Sequence, residues 1–437
     1  MIVSGTAVAT ESSDTGAAED WSKRDFRASG VDLTVGNAQM GSSIPQSNPF
    51  VRSPTMRASS MFGFGLLVLL GCNAGSESVT SDAVAAQPSA SKPFAQAVVA
   101  DFDAPWAMTF LPDGRMLVTE KKGQLLLVSA DGRQRIAVAG VPAVDSAGQG
   151  GLADVVLAPD FARSRIVYLS ASQAGAGGKG IVLMRGRLVE AGGQARLEGA
   201  QTIFRARPFV EGNGHYAGRI AFSPDGRYLF FANGERQKFD PAQDPKSTLG
   251  KVLRLTLDGK PAPGNPLAAR GFAPEIWSNG HRNQLGLAVD ASGNLWNQEM
   301  GPAGGDELNL VLPGRNYGYP KASNGDHYDG RPIPDHRPGD GFEAPKASWN
   351  PAISPGGLMI YSGKLFPQWR GDAFLGGLGS EALVRVDLNG TRAAKGDQWP
   401  MGARIREVEE GPDGAIYVLE DGRDDSQGRL LRLTPAR

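Results

Sequence analysis

A single cysteine, Cys72, among 437 residues leaves no internal disulfide framework and no thiolate zinc cluster. An excess of either charge is also missing. The 45 basic and 46 acidic residues give a formal net charge of −1, so no summed field holds nucleic acid or an anionic membrane. Aromatic residues make up 8 %, and only four histidines occur, which keeps the list of candidate bases short. The chain has no P-loop, no G-x-S-x-G elbow, no G-x-G-x-x-G after a strand and no His/Cys cluster. Nucleotide, serine-hydrolase and zinc chemistry therefore lack support. Long hydrophobic runs are absent too: Met61 to Gly71 (MFGFGLLVLLG) falls well short of the roughly twenty residues that cross a bilayer.

That apolar stretch fits the h-region of a secretory signal. Arg52 and Arg57 lie upstream as a positive n-region, and Leu69-Leu70-Gly71-Cys72 resembles a bacterial lipobox, whose cysteine carries the lipid. A Ser/Ala-rich linker follows over residues 73–93. The expectation is a periplasmic protein anchored at Cys72, with 61–72 as the signal. Residues 1–60 show no sustained period and read as a disordered extension, or as sequence upstream of a true start at Met56 or Met61. A buried strand with an incidental cysteine is the alternative.

Glycine is what the sequence has in excess: 59 glycines and 30 prolines mean frequent turns and few long helices, while a 41 % hydrophobic fraction supports a packed core. The turns resemble one another. FLPDGRMLVTE (110–120), FSPDGRYLFFAN (222–233), VDASGNLWNQE (289–299) and EGPDGAIYVLED (410–421) share an apolar start, an Asp-Gly or Ser-Gly turn and a β-branched or aromatic strand. Glycine supplies positive φ in such a turn and aspartate caps its backbone. Weaker copies occur at 157–170 and 385–394. About six copies predict an all-β fold, a six-bladed β-propeller over residues 94–437, each blade burying its faces against its neighbours. A pair of β-sandwiches with chance turn similarity is the competing arrangement.

Function then falls to the loops that are richer in polar residues and glycine than a turn requires: 212–219, 278–287 and 298–320. His215 follows Gly214 ahead of an apolar strand and suits general-base work at neutral pH, although a hydrogen-bonded surface histidine reads the same way. His281, Arg282 and Asn283 offer a donor cluster for carboxylate or quinone oxygens. Asp306 and Glu307 are adjacent hard-oxygen ligands in glycine-rich sequence suited to calcium, or form a charged turn with no metal.

In this order, GQGGLADVVLAPDF (148–161), HYAGR (215–219), LGKVLRLTLDG (249–259), GHRNQLGLA (280–288), QEMGPAGGDELNLV and GRNYGYP (298–320) resemble the soluble quinoprotein glucose dehydrogenase and aldose sugar dehydrogenase family. The resemblance spans roughly residues 95–435. It implies a six-bladed propeller that uses pyrroloquinoline quinone (PQQ) and calcium to oxidise the anomeric hydroxyl of aldoses to lactones. Electrons then pass to a dye, a quinone or another acceptor. Position by position, it implies that His215 is the base, that Glu235 orients it, and that Gln149 lies beside base and substrate. Arg282 and Asn283 would contact the quinone, and Arg404 and Arg406 would lie near the PQQ carboxylates. The carbonyls of Gly301 and Pro302 would hold the catalytic calcium, and Glu307 with the Tyr317 carbonyl a second, structural calcium. One departure stands out: where the family commonly has a cofactor-holding lysine, this chain has Gly379, with Glu381 nearby. Two other functions compete, a sugar-binding propeller lipoprotein without cofactor and a calcium-dependent lactonase, which needs a metal at the channel centre held by carboxylate side chains.

Overall fold

The computed structural model describes residues 92–423 and 427–436. The expectations for residues 1–60, for 61–72 with Cys72, and for nearly all of the 73–93 linker lie outside them.

Among the described residues the fold is all-β, with one four-residue α-helix, Phe161–Ser164, and three short 3-10 turns. The strands form four four-stranded sheets and one eight-stranded sheet. In the larger sheet a parallel contact between Arg135–Ala139 and Gln194–Arg205 joins two four-stranded antiparallel units. The first strands of successive units, Pro105–Phe110, Leu152–Leu157, Ala217–Phe222, Gln284–Val289, Pro355–Ile360 and Ile405–Glu410, each pack on the next, and the last returns to the first. Two sandwiches would break this circuit. The strand Phe94–Asp101 completes the last sheet by pairing with Arg429–Pro435, which ties the two ends of the domain together.

The repeated turns have a common physical cause. Asp113, Asp225, Asp290 and Asp413 each accept a hydrogen bond from a backbone N–H two residues on. Gly114, Gly226, Gly293 and Gly414 supply φ of 85°, 66°, 86° and 83°. Each of these turns joins the first and second strands of its unit, as does the 157–170 copy, which holds the short helix. The copy at 385–394 differs: its Asn389–Arg392 hairpin joins third and fourth strands. Residues 361–372, with a 3-10 turn at Pro367–Trp369, take the place of the first hairpin in that unit. Asn-Gly chemistry serves any tight hairpin, so the turn alone does not say which hairpin it closes.

All six first strands share one further irregularity: the register shifts at their beginning, as between Ala217 and Ile220 or Ile405 and Glu407. A bulge re-aims side chains. Here it falls where each first strand leaves the connection that precedes it. Because the strands are antiparallel and the capped turns gather at one end, the second-to-third and unit-to-unit connections all gather at the other. Gln149, His215, Glu235, Arg282, Gly301 and Arg404 lie on these connections.

Candidate active site

His215 is built into place by its backbone. Five non-glycine residues around it hold positive φ: His215 (47°), Ala217 (54°), Arg236 (64°), Gln237 (58°) and Phe239 (62°). Such backbone is strained and persists only where neighbours impose it. Arg236, fully buried and stacked 3.6 Å over the Tyr216 ring, donates to the carbonyls of Gly212 and Gly214 and so clamps the turn that carries the histidine. Asn283 Oδ1 accepts from Ala217 N at 3.2 Å. Gln149 Oε1 accepts from His215 N at 2.8 Å.

Imidazole Nδ1 lies 2.5 Å from Glu235 Oε1. The carboxylate is fully buried and is also held by the backbone N–H groups of Gln237, Lys238 and Phe239. Burial alone raises its pKa, but the bond to His215, the charges of His215 and Arg282, and the Phe239 N–H hold it below the ordinary value. Burial pushes His215 down, the Arg282 charge adds to this, and Glu235 opposes both without reversing them. The histidine is therefore neutral at neutral pH. With Glu235 ionised, Nδ1 carries the proton and Nε2 keeps its lone pair, the arrangement a general base requires.

Arg282 lies beside this dyad and is buried. Its Nη1 donates to the carbonyls of Met300 (3.0 Å) and Gly301 (2.6 Å), its Nη2 to Tyr328 Oη (3.1 Å), and its Nε has no partner among the described residues. The Gly301 carbonyl, expected as a calcium ligand with Pro302, thus faces a guanidinium here.

His281 does not join the donor cluster expected of it. It is fully buried, stacked on Tyr317 at 4.5 Å and hydrogen-bonded to Ser278 and to Glu299. Asp306 and Glu307 do not act together either, because both lie on the strand Asp306–Leu310, where consecutive side chains point to opposite faces. Asp306 accepts from Gly301 N and Ser354 N and so supports the 301–305 loop. Burial raises its pKa to about 6. Glu307 instead shares Asn309 Nδ2 with Glu299, and burial, then the Glu299 charge, raises its pKa well above normal. Beside this pair a cavity of about 10 Å³, room for about one water, is lined by Arg282, Gly301, Tyr317 and Ser323. Among the described residues both ring nitrogens of the buried His336 side chain lack hydrogen-bond partners, Nε2 lying 3.8 Å from Glu307 and Nδ1 3.6 Å from Asp340. Glu299 was not singled out in the sequence; its place one residue before Met300-Gly301-Pro302 was the available signal.

Arg404 Nε lies 2.8 Å, Arg406 Nη2 3.4 Å and Arg423 Nη2 3.5 Å from the single carboxylate oxygen Asp421 Oδ2. Gly379 N bonds to Ile353 O, and Glu381, exposed and at φ 49°, serves through its carbonyl to Met401 N. Among the first strands, buried Arg219 pairs with both Asp154 and Glu407. The carboxylates a channel-centre metal would need are taken by a guanidinium. No group of three or more His, Cys, Asp or Glu converges in metal-ligating geometry among the described residues.

Residues 102–432 match the Glucose / Sorbosone dehydrogenase family. An aldose sugar dehydrogenase of Escherichia coli is 40 % identical over 342 residues, 76 % of this chain and 90 % of its own length. Among solved structures, the apo-form of the soluble aldose sugar dehydrogenase from Escherichia coli superposes with a TM-score of 0.73 at 39 % identity, covering 78 % of this chain and all of that one. The PQQ-bound form of the aldose sugar dehydrogenase from Streptomyces coelicolor gives 0.66 at 33 % identity, over 80 % and 99 %. Together with the dyad and the arginines around it, these matches establish that the chain belongs to the glucose/sorbosone dehydrogenase family.

Proposed function

We propose that this chain, a six-bladed propeller when the eight-stranded sheet is counted as two blades, oxidises the anomeric hydroxyl of aldoses to lactones with PQQ and calcium. The observation that carries this reading is the His215–Glu235 dyad at 2.5 Å with Arg282 beside it at the channel mouth. His215 Nε2 removes the proton of the substrate's C1 hydroxyl, and Glu235 stabilises the imidazolium that results. Gln149, anchored on His215 N, presents its amide to the same substrate. Arg282, with Asn283 next to it, offers positive charge where oxygen becomes negative.

The residues present fit the cofactor. Three guanidinium groups converge on one carboxylate, and Arg406 is pushed down to about 10 by burial, with Arg423 and Arg404 adding to the effect against Asp421. Guanidinium groups gathered in this way pair readily with a polycarboxylate. PQQ, when bound, supplies the two-electron acceptor for the hydride that leaves C1. The Gly301 and Pro302 carbonyls would hold the catalytic calcium, the Gly301 oxygen also accepting from Arg282. A second calcium would be held by Glu307, the Tyr317 carbonyl and Glu299, two buried carboxylates that otherwise repel each other.

Dye reduction by the reconstituted chain tests the proposal: activity should require PQQ, calcium and a free anomeric hydroxyl. A chain that takes up sugar without reducing dye overturns it in favour of a binding module. Two further outcomes are expected. The acid limb of kcat/KM lies below pH 6.5, because the base works neutral and its pKa is lowered; a limb at or above pH 7 contradicts this. Calcium at 100 times its Kd raises stability by about 2.7 kcal/mol, and Glu307→Gln removes most of that gain in a thermal melt. For location, we propose a periplasmic protein anchored through lipid at Cys72; labelling with radioactive fatty acid that persists in Cys72→Ala contradicts the anchor.

A further inference from the structure

We propose that Lys251, the first residue of the strand Lys251–Thr256, is a positioning residue for the His215–Glu235 dyad: its ammonium gathers the carbonyls of Pro241, Ala242 and Leu249 and so fixes the segment that holds Glu235. The inference deepens the functional reading above and rests on it.

Lys251 lies in the 249–259 motif, to which the proposed mechanism gives no role. Its side chain is wholly buried, and its Nζ lies 2.7 Å from Pro241 O, 3.0 Å from Ala242 O and 2.8 Å from Leu249 O, one carbonyl for each ammonium proton. A buried charge is costly and persists where hydrogen bonds satisfy its donors. Burial pushes the pKa of Lys251 down to about 7 against the pull of Asp244, so at pH 6.5 the ammonium predominates.

Two of these carbonyls lie at the far end of a strained run. Arg236, Gln237 and Phe239 hold φ of 64°, 58° and 62°, the N–H groups of Gln237, Lys238 and Phe239 bind the Glu235 carboxylate, and the 3-10 turn Asp240–Ala242 follows at once. Arg236 clamps the near end of this run to the His215 turn, and Lys251 clamps its far end. The hold extends to Arg282. Ala242 O also accepts from Gly280 N at 3.0 Å, Gly250 O from His281 N at 3.2 Å, and Arg282 O from Glu235 N at 2.9 Å. One buried ammonium thus registers the dyad and the guanidinium against each other. Positive-φ backbone persists only while its neighbours impose it, and a misplacement of about 1 Å costs on the order of 100-fold in rate.

Removal of the ammonium takes away position more than fold. Pro241 O keeps a bond from Asp244 N at 3.2 Å, and Ala242 O keeps the one from Gly280 N.

The test joins kinetics to the proton on His215 Nδ1, followed by NMR of the full-length chain with isotope-labelled histidine at pH 6.5. In the parent chain that proton, held between Nδ1 and Glu235 Oε1 at 2.5 Å, should resonate at low field. In Lys251→Met the resonance should broaden or move upfield, and kcat should fall about 10- to 100-fold while KM for the aldose stays within a few-fold. Lys251→Gln, whose amide donates to at most two of the three carbonyls, should show both changes more weakly, and it decides the matter if Lys251→Met does not melt cooperatively. Lys246→Met, which removes an exposed cation of the same connection bonded to Gly271 O, should behave as the parent does. A parent-like resonance with parent-like kcat in the folded variants overturns the assignment. An equal loss of kcat and aldose affinity with the resonance unmoved marks a structural role and overturns it too. A parent chain that reduces no dye overturns the functional reading, while the resonance still decides whether Lys251 positions the dyad.

Discussion

His215→Ala lowers kcat by about 10²- to 10⁴-fold, the range general-base catalysis supplies, while cofactor affinity and melting temperature stay near those of the parent chain. The size follows from the local arrangement. Glu235 fixes the tautomer, the backbone N–H groups of Gln237, Lys238 and Phe239 fix Glu235, and Arg236 fixes the turn below the ring. Alanine removes the base and leaves that scaffold in place. Glu235→Gln should also be slow, because an amide offers either a donor or an acceptor to Nδ1 and can hold the ring in the wrong tautomer. A His215→Ala chain with turnover within tenfold of the parent's would show that another group takes the proton. Steady-state kinetics beside a thermal melt decides the matter.

The second large effect is on stability. Arg219 is buried at 5 % exposure between Asp154 and Glu407, at 4 % and 2 %, with Nε on Leu285 O and its plane 4.1 Å from the Trp106 ring. Arg219 and these four partners come from five of the six first strands, so one guanidinium ties most of the channel wall together. Arg219→Met should cost about 3–5 kcal/mol, since it leaves buried carboxylates without their cation. The loss should grow with pH. Burial already holds Glu407 near 7, against the pull of Arg219. Without Arg219 the buried carboxyls bind protons more tightly than in the unfolded chain, so folding is favoured at low pH and opposed as pH rises through their folded values. Denaturant unfolding at pH 6 and pH 8 measures this, and a loss below about 1 kcal/mol at pH 8 would contradict the role assigned to Arg219.

Much of this was legible in the sequence for reasons of local chemistry. An Asp-Gly turn writes its own hydrogen bond and its own positive φ, so the hairpins at Asp113, Asp225 and Asp413 could be read before any tertiary contact was known. His215, Glu235, Gln149 and Arg282 were carried by family motifs, and the fold brings the four together. What was not legible depends on alternation and long-range packing. Asp306 and Glu307 looked like a pair until a strand separated them by face. His281 looked available beside Arg282, yet its ring turns inward onto Glu299 and Tyr317. The clamp of Arg236 needs a contact with Tyr216 twenty residues earlier, and the Arg219 cluster needs five strands, so neither leaves a short-range pattern.

The central claim is that C1 of an aldose loses hydride to bound PQQ while His215 takes the hydroxyl proton. Anaerobic rapid mixing of the PQQ- and calcium-loaded chain with an aldose carrying hydrogen or deuterium at C1 tests it most directly. The expected result is a single-turnover change in cofactor absorption that is slowed by a primary isotope effect, yields lactone, and is slow in His215→Ala. Lactone formed at equal rates from both isotopologues, or a cofactor spectrum indifferent to sugar, would contradict it.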